Sequence, residues 1–208
     1  MDRLERFWDK QAGGYAKKEN DIQITKNKDF ITTLKYINTD DIVLDYGCGG
    51  GIVSISISDK VKEIHAIDVS VKMIETAKAN AAELNISNIN YAQGTIFDKR
   101  FQAQSFDVIL AFRVLHVLED VQVVVRRINE LLKPGGVFIS VTTCMGSQKA
   151  IFGPLVFLAR KLNILPIKIS MLKLSKLQEI LTNENFEIIE YEKMDDKIST
   201  YCVVARKI

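Results

Sequence analysis

Four glycines cluster directly after a short apolar segment that is typical of a buried β-strand. The segment 42–46 leads into Gly47-Cys48-Gly49-Gly50-Gly51, and a helical pattern begins near Ile52. Glycine adopts positive φ without strain and lets a ligand approach the backbone, because it has no Cβ. A tight structural turn is the simple alternative, but such a turn needs only one or two glycines. The cluster therefore predicts a ligand-binding loop at the carboxyl end of a strand, where open α/β sheets bind their ligands.

The spacing of these glycines distinguishes two kinds of nucleotide-binding loop. A dinucleotide fingerprint has its third glycine three positions after the second. That position is Ile52 here, and Gly51 stands one place early. The pattern formed by Gly47, Gly49 and Gly51 is therefore GxGxG, which disfavours an NAD(P)-linked oxidoreductase.

An acidic residue, Asp68, ends the next apolar segment at 64–67. A carboxylate at this position accepts hydrogen bonds from two neighbouring ribose hydroxyls more strongly than a neutral side chain does. Stabilisation of the following helix, which begins near Ser70, is the alternative role. The two roles are compatible, and this feature alone fits NAD binders equally well.

The surrounding pattern predicts an α/β fold with a doubly wound, seven-stranded and mostly parallel sheet. Apolar segments of strand length occur at 42–46, 63–67, 89–93, 106–111 and 137–143. Helical periodicity between them predicts a helix over 70–85 with Ser70 as N-cap, and another whose apolar positions run from Val121 to Leu132 and which Pro134 stops. A helix at 174–183 and strands at 186–191 and 200–205 follow, and we expect these strands to form an antiparallel hairpin at the sheet edge.

The chain has 208 residues and is 47% hydrophobic, which predicts one domain over 1–208. Within it we expect a helical lid at 1–40, a ligand-binding core at 41–143, an inserted helical cap at 144–173, and a final helix and hairpin at 174–208. The aromatic residues Phe7, Trp8, Tyr15 and Phe30 place the lid over the carboxyl edge of the sheet.

Charge and cysteine content exclude several classes of partner. Lys and Arg number 28 against 26 Asp and Glu, so no field of one sign favours nucleic acid. The three cysteines, Cys48, Cys144 and Cys202, lack the paired spacing of metal sites, so we expect no metal. The charged N-terminus and the absence of a long apolar stretch predict an unexported, cytoplasmic protein. The oligomeric state stays open.

Several motifs together resemble the class I S-adenosylmethionine-dependent methyltransferases. The runs VLDYGCGGG, AIDVSVKMIETAKAN, SFDVILAFRVLHVLED and LLKPGGVFISV resemble four successive motifs of that family, and FWDKQAGGYAKK resembles its N-terminal opening. The likeness covers most of the chain and is closest to the type 11-like group that includes the ubiquinone and menaquinone biosynthesis enzymes. It implies a Rossmann-like fold, S-adenosylmethionine as cofactor and S-adenosylhomocysteine as product.

The resemblance also implies a set of cofactor-binding residues at the ends of the predicted strands and in the lid. This set is Tyr15, Asp45, Gly47, Cys48, Gly49, Gly51, Asp68, Val69, Met73, Gly94, Thr95, Ile96, Phe112 and Arg113. Asp45 would orient the loop near the methionine amino group, and Asp68 would bind the ribose. Val69 and Met73 would pack against the adenine.

The chain departs from the family after the third strand. The family commonly has an acid there that holds the adenine amino group, whereas this chain reads Gln93-Gly94-Thr95-Ile96. The hydroxyl of Thr95 can still accept one hydrogen bond. Phe112 and Arg113 fall where the methionine end of the cofactor and the acceptor would meet.

Methyl transfer from a sulfonium is an in-line displacement, so the main task is to place the acceptor and exclude water. A hydroxyl or acidic carbon acceptor needs a base, and His116 is the first candidate because the ordinary pKa of histidine is about 6.5. The alternative is that His116 supports local packing between its apolar neighbours. Tyr15 and Arg113 are candidates for orienting an oxygen or carboxylate of the acceptor.

The apolar stretch at 150–168 predicts a hydrophobic acceptor pocket within the cap. Alternatively, this stretch packs on the domain or on a second subunit. The stretch has few basic residues, so we expect at most peripheral contact with a membrane. We therefore predict methyl transfer to a small, apolar molecule. The atom that accepts the methyl group can be oxygen, nitrogen, sulfur or carbon. A non-catalytic S-adenosylmethionine-binding protein and, less favoured, an oxidoreductase are the alternatives.

Overall fold

The computed structural model describes residues 3–20, 28–144, 172–195 and 199–208. Within these ranges, the side chains of residues 3, 14–20 and 195 are not described. Nearly all of the predicted cap at 144–173 therefore lies outside the described residues. The proposed lid, the cap and the subdivision of the domain stay predictions.

Seven strands form one mixed sheet in the described part of the chain. They are β1 (Ile42–Tyr46), β2 (Glu63–Asp68), β3 (Ile89–Gln93), β4 (Phe106–Phe112), β5 (Leu132–Thr143), β6 (Phe186–Asp195) and β7 (Thr200–Lys207). Their order is β3-β2-β1-β4-β5-β7-β6. The first five pair in parallel, and β7 is antiparallel to both β5 and β6. The predicted α/β class, the mostly parallel sheet and the antiparallel hairpin are confirmed.

Helices cover both faces of the sheet. They are α1 (Arg3–Asn20), α2 (Lys28–Leu34), α3 (Ile52–Ile57), α4 (Val71–Glu83), α5 (Val121–Leu131) and α6 (Leu174–Asn183). Because successive strand residues point to opposite faces, Phe138 and Ile139 of β5 enter different apolar clusters. The first cluster contains residues of α5 and α6, and the second contains residues of α2, α3 and α4. This arrangement is the predicted doubly wound fold.

Helix α4 forms where its N-cap and apolar period predict. The Oγ of Ser70 accepts a hydrogen bond from the Met73 amide at 3.2 Å, and Ile74 is buried. Leu84 follows the last helical residue and is exposed, so the helix is shorter than the predicted range 70–85. The chain turns at Asn85, whose φ of 54° ends the helical path.

Strands β5, β6 and β7 differ most from their predicted bounds, whereas β2 and β4 are each one residue longer than predicted. Strand β5 begins at Leu132 rather than Val137, because Leu132 pairs with Phe106 across an irregularity in β4. Leu132 is therefore not part of helix α5. The hairpin strands are also longer than predicted, and residues 194 and 195 of the expected turn belong to β6.

The first half of α1 lies against α4 at the carboxyl edge of the sheet. Asp9 of α1 accepts a hydrogen bond from the Ser70 hydroxyl at 2.5 Å and lies 3.4 Å from the Lys72 amide. Gln93, at the end of β3, donates to Glu5 at 3.1 Å. Of the helices described here, none combines the length and apolar character that crossing a bilayer requires.

Candidate functional site

A cavity of about 190 Å³ opens where strands β1, β2 and β4 end. The strand order reverses between β1 and β4, which is the position where open α/β sheets bind ligands. Nine residues of the predicted site line it together: Asp45, Gly47, Cys48, Gly49, Asp68, Val69, Met73, Phe112 and Arg113. The cavity therefore brings together residues from the glycine loop after β1, from the end of β2 and from the end of β4.

Backbone hydrogen bonds hold the glycine loop against β2. The amides of Gly47 and Cys48 donate to the Ile67 carbonyl at 2.8 and 3.0 Å, and Gly47 and Gly49 have φ of 77° and 53°. Gly51 also has a positive φ, of 83°, but it does not line the cavity. A Cβ on Gly51 would lie 2.7 Å from the Tyr91 hydroxyl, so this glycine serves the packing beneath the loop.

Asp68 connects the loop to helix α4. Its Oδ2 accepts from the Gly49 amide at 3.1 Å, and its Oδ1 accepts from the Ser70 amide at 2.8 Å. Burial raises the pKa of Asp68 above its usual value, although these amides favour the charged form. The carboxylate thus supports the backbone before α4 and also faces the cavity, so the two predicted roles are geometrically compatible.

Asp45, in β1, is 1% exposed and borders the cavity from below the loop. The Ser54 hydroxyl of α3 donates to its Oδ2 at 2.5 Å. Burial raises the pKa of Asp45 to about 6, and the hydrogen bond from Ser54 opposes part of that increase. Ser54 was not predicted as a site residue, since nothing in its local sequence marks it.

The cavity wall contains one more acidic residue, Asp29, which was not predicted from the sequence. Asp29, in the first turn of α2, is 7% exposed and lies 3.4 Å from the Arg113 guanidinium. Arg113 has a φ of 60° and its amide donates to the Val141 carbonyl at 2.7 Å. From sequence alone, Asp29 is an ordinary acidic residue at a helix start.

The turn after β3 does not line the cavity. Thr95 uses its hydroxyl to accept from the Phe97 amide at 3.3 Å, and Ile96 is fully buried in the core. A Cβ on Gly94 would lie 3.1 Å from the Asp98 carboxylate. The Gly94 amide nevertheless donates to the Asp68 carbonyl at 3.0 Å, so this turn lies beside the site, and the cofactor contacts of Gly94, Thr95 and Ile96 stay predictions.

The predicted base, His116, lies beside the cavity and does not line it. It sits in a short 3-10 turn, Leu115–Val117, and the neighbouring Val117 and Leu118 do line the cavity. Burial, and then the charge of Arg113, lower the pKa of His116 and favour the neutral ring. Its Nδ1 is buried without a hydrogen-bond partner among the described residues.

Helix α1 supplies the outer wall. Leu4 and Trp8 line the cavity, and Phe7 packs edge-on against Trp8 with ring centroids 5.2 Å apart. Tyr15 lies further along α1, and its side chain is outside the described residues.

The site fits S-adenosylmethionine in its donor set and shape. Asp68 presents a carboxylate for ribose hydroxyls beside the apolar walls of Val69 and Met73, and a loop with glycines at 47 and 49 borders the same space. Within the described ranges, no group of three or more His, Cys, Asp or Glu is arranged to hold a metal ion.

Comparisons with known proteins agree with this site. Residues 37–199 match a family described as a methyltransferase domain. The chain is 31% identical over 164 residues to a ubiquinone biosynthesis O-methyltransferase of Rickettsia bellii, covering 74% of this chain and 67% of the relative. A second such enzyme, of Rickettsia typhi, is 32% identical over 152 residues, which cover 71% of this chain and 61% of that protein.

A solved structure shows the same fold across almost the whole chain. It is the geranyl diphosphate C-methyltransferase of Streptomyces coelicolor, with a TM-score of 0.77, 11% identity, and coverage of 99% of this chain and 96% of that one. The family match, the relatives and the cavity together show that this chain belongs to the S-adenosylmethionine-dependent methyltransferases.

Proposed function

We propose that the protein transfers the methyl group of S-adenosylmethionine to a hydroxyl oxygen of a small, largely apolar acceptor. The observation that carries this proposal is a single cavity that joins the Asp68 carboxylate to an apolar region lined by Phe30, Val53 and Ile57. The names of the Rickettsia relatives, both O-methyltransferases, support oxygen as the accepting atom.

The cofactor half of the cavity lies between the glycine loop and the start of α4. Asp68 accepts hydrogen bonds from the ribose hydroxyls, and Val69 and Met73 pack against the adenine. Asp45 holds the methionine amino group electrostatically from beneath the loop. Gly47, Cys48 and Gly49 supply backbone that a ligand approaches closely, and Trp8 closes the outer side.

The chain contributes mainly orientation and exclusion of water. When bound, S-adenosylmethionine would supply a methyl group on a sulfonium that needs no further activation. The O–C bond would form as the S–C bond breaks, S-adenosylhomocysteine would leave as a neutral thioether, and the hydroxyl proton would pass to water or to a base. Phe112 ends β4 and Val114 follows it; both line the cavity, and they position the acceptor for in-line attack. His116 does not line the cavity. Its role as a base therefore stays a prediction.

Other predictions about partners are unchanged. The expected partner is a small molecule. A cytoplasmic location and membrane contact that is at most peripheral stay predictions. A non-catalytic S-adenosylmethionine-binding protein is the alternative function, and it would bind the cofactor without transfer to any acceptor.

Transfer of a radiolabelled methyl group tests the proposed reaction. We expect label to move from S-adenosylmethionine to butylcatechol, and not to its dimethyl ether, because only the free hydroxyl can accept a methyl group. Butylaniline and butylthiophenol are matched probes for nitrogen and sulfur. Label in either of these and none in the catechol would contradict oxygen as the acceptor atom.

The affinity for S-adenosylmethionine is expected to depend on the ionisation of Asp45. The pKa of Asp45 is raised to about 6 in the free protein, so below that pH its carboxyl is neutral and no longer attracts the ammonium group. Affinity should be constant well above pH 6 and fall by up to about tenfold for each pH unit below it. Calorimetric titrations across this range measure the effect.

Two variants separate this ionisation from other groups. Asp45→Asn should bind more weakly at neutral pH and lose the pH dependence centred on pH 6. Ser54→Ala removes the hydrogen bond that stabilises the charged form, so its midpoint should move to higher pH. A wild-type profile that persists in Asp45→Asn would assign the dependence to another residue.

A further inference from the structure

Asp29 is a buried carboxylate whose hydrogen-bonding capacity is only partly used. Its Oδ1 accepts from the Phe30 amide at 2.9 Å, and its Oδ2 lies 3.4 Å from Nη2 of Arg113. Among the described residues these are the hydrogen bonds that reach the carboxylate. An ionised carboxylate has about four acceptor positions, so Oδ2 retains room for a further donor.

The contact with Arg113 is weak by geometry. The Arg113 side chain is 61% exposed, whereas that of Asp29 is 10% exposed, and their separation of 3.4 Å is longer than that of a strong charge-assisted hydrogen bond. An ion pair with one largely hydrated partner contributes little net attraction. Arg113 therefore partly offsets the charge of Asp29 but does not use all of the hydrogen-bond acceptor positions of its Oδ2.

The surroundings of Asp29 differ from those of the cofactor half. Phe30 of α2, Val53 and Ile57 of α3 and Phe112 at the end of β4 line the cavity and belong to one apolar cluster. The hydroxyl of Thr33 donates to the main-chain carbonyl of Asp29 at 2.8 Å, so its proton is already used. Among the described residues that line the cavity, Asp29 is a charged acceptor available to a ligand, and it attracts a donor more strongly than the neutral oxygen of Thr33 does.

The strand order places this carboxylate on the acceptor side. Asp68 lies at the end of β2, while Arg113, which contacts Asp29, follows β4 on the opposite side of β1. The methyl group must travel between these two parts of one cavity. A ligand with its ribose at Asp68 leaves the space beside Asp29 for the second substrate.

We propose that Asp29 is a specificity-determining residue, and that its Oδ2 accepts a hydrogen bond from a hydroxyl of the apolar acceptor. This inference rests on the proposed function and assigns the acceptor's polar contact to a residue of α2. Because the buried carboxylate is incompletely hydrogen-bonded, an acceptor without a donor leaves it unsatisfied. The site therefore selects hydroxyl-bearing apolar molecules against their methyl ethers.

Binding to the protein saturated with S-adenosylhomocysteine tests the inference without turnover. Butylcatechol and its dimethyl ether are titrated calorimetrically into the wild type, Asp29→Asn and Asp29→Ala. We expect the wild type to prefer the catechol by about 10- to 100-fold, as one charge-assisted hydrogen bond predicts. Asp29→Ala should lose this preference and Asp29→Asn should lose most of it, with affinity for S-adenosylhomocysteine unchanged in both.

Glu184→Gln is the matched control, since Glu184 is 9% exposed and is likewise held by an arginine, Arg126, at 3.0 Å, but does not line the cavity. It should keep the wild-type preference. Equal binding of the two probes to the wild type, binding of neither, or an unchanged preference in Asp29→Ala would overturn the role of Asp29. Failure of the wild type to bind S-adenosylhomocysteine would instead contradict the proposed function, and this inference with it.

Discussion

Gly47→Ala is expected to reduce both the stability of the protein and its affinity for S-adenosylmethionine. A Cβ at this position would lie 2.8 Å from Cγ2 and 3.0 Å from Cβ of Val114, and the backbone φ is 77°. The left-handed conformation costs a non-glycine residue about 1–2 kcal/mol, and overpacking adds about 1–3 kcal/mol. Because relief of this contact must move the loop or Val114, and both line the cavity, affinity should fall by about tenfold or more.

Gly135→Ala separates the backbone strain from the contact. Gly135 has a φ of 74°, and a Cβ there would meet no atom within 4 Å. This variant should lose only about 1–2 kcal/mol of the free energy of unfolding and keep wild-type affinity for the cofactor. Denaturant unfolding and calorimetry measure the two quantities. Wild-type affinity in Gly47→Ala would show that the loop does not border the bound cofactor.

Asp68→Ala is expected to have the second large effect, a loss of about 100-fold in affinity for S-adenosylmethionine. The substitution removes the acceptor of the Gly49 and Ser70 amides, at 3.1 and 2.8 Å, and also the proposed contact with the ribose. Hydrogen bonds to charged groups are each worth about 1.5–3 kcal/mol, so losing the ribose contact alone accounts for roughly this decrease. Calorimetry of the purified variant measures it.

Asp120→Ala is the control for loss of a carboxylate that accepts a main-chain amide. Asp120 caps α5 by accepting from the Val123 amide at 3.1 Å and does not line the cavity. It should lose about 1 kcal/mol of stability with unchanged affinity. Asp68→Asn then separates the two roles of Asp68, since asparagine can still accept a main-chain hydrogen bond. Wild-type affinity in Asp68→Asn would contradict a role for the charge in ribose binding.

The parts of the site that are contiguous in sequence were predictable. The glycine loop follows β1 directly. Asp68 is the last residue of β2, and Ser70 immediately precedes α4. Local propensity therefore places all of them at one edge of a parallel sheet. The helix cap at Ser70 follows from residue type alone. The alternation of strands and helices and the antiparallel hairpin likewise follow from the pattern of apolar segments.

The remainder depends on contacts between distant parts of the chain. Asp29 and Arg113 are brought together only when α2 packs beside the end of β4, and no local pattern marks that pair. The hydrogen bond from the Phe97 amide to the Thr95 hydroxyl likewise depends on how the turn after β3 folds, and residue type alone does not predict it. The start of β5 depends on the pairing of Leu132 with Phe106, which the intervening proline and glycines obscure.

The most direct test of the account is a calorimetric titration of the wild-type protein with S-adenosylmethionine, S-adenosylhomocysteine and NAD in parallel. The cavity at the ends of β1 and β2, with its GxGxG loop and Asp68, predicts saturable one-to-one binding of the first two compounds and no binding of NAD. Binding of NAD with none of S-adenosylmethionine or its product would contradict the assignment of this cavity to methyl transfer.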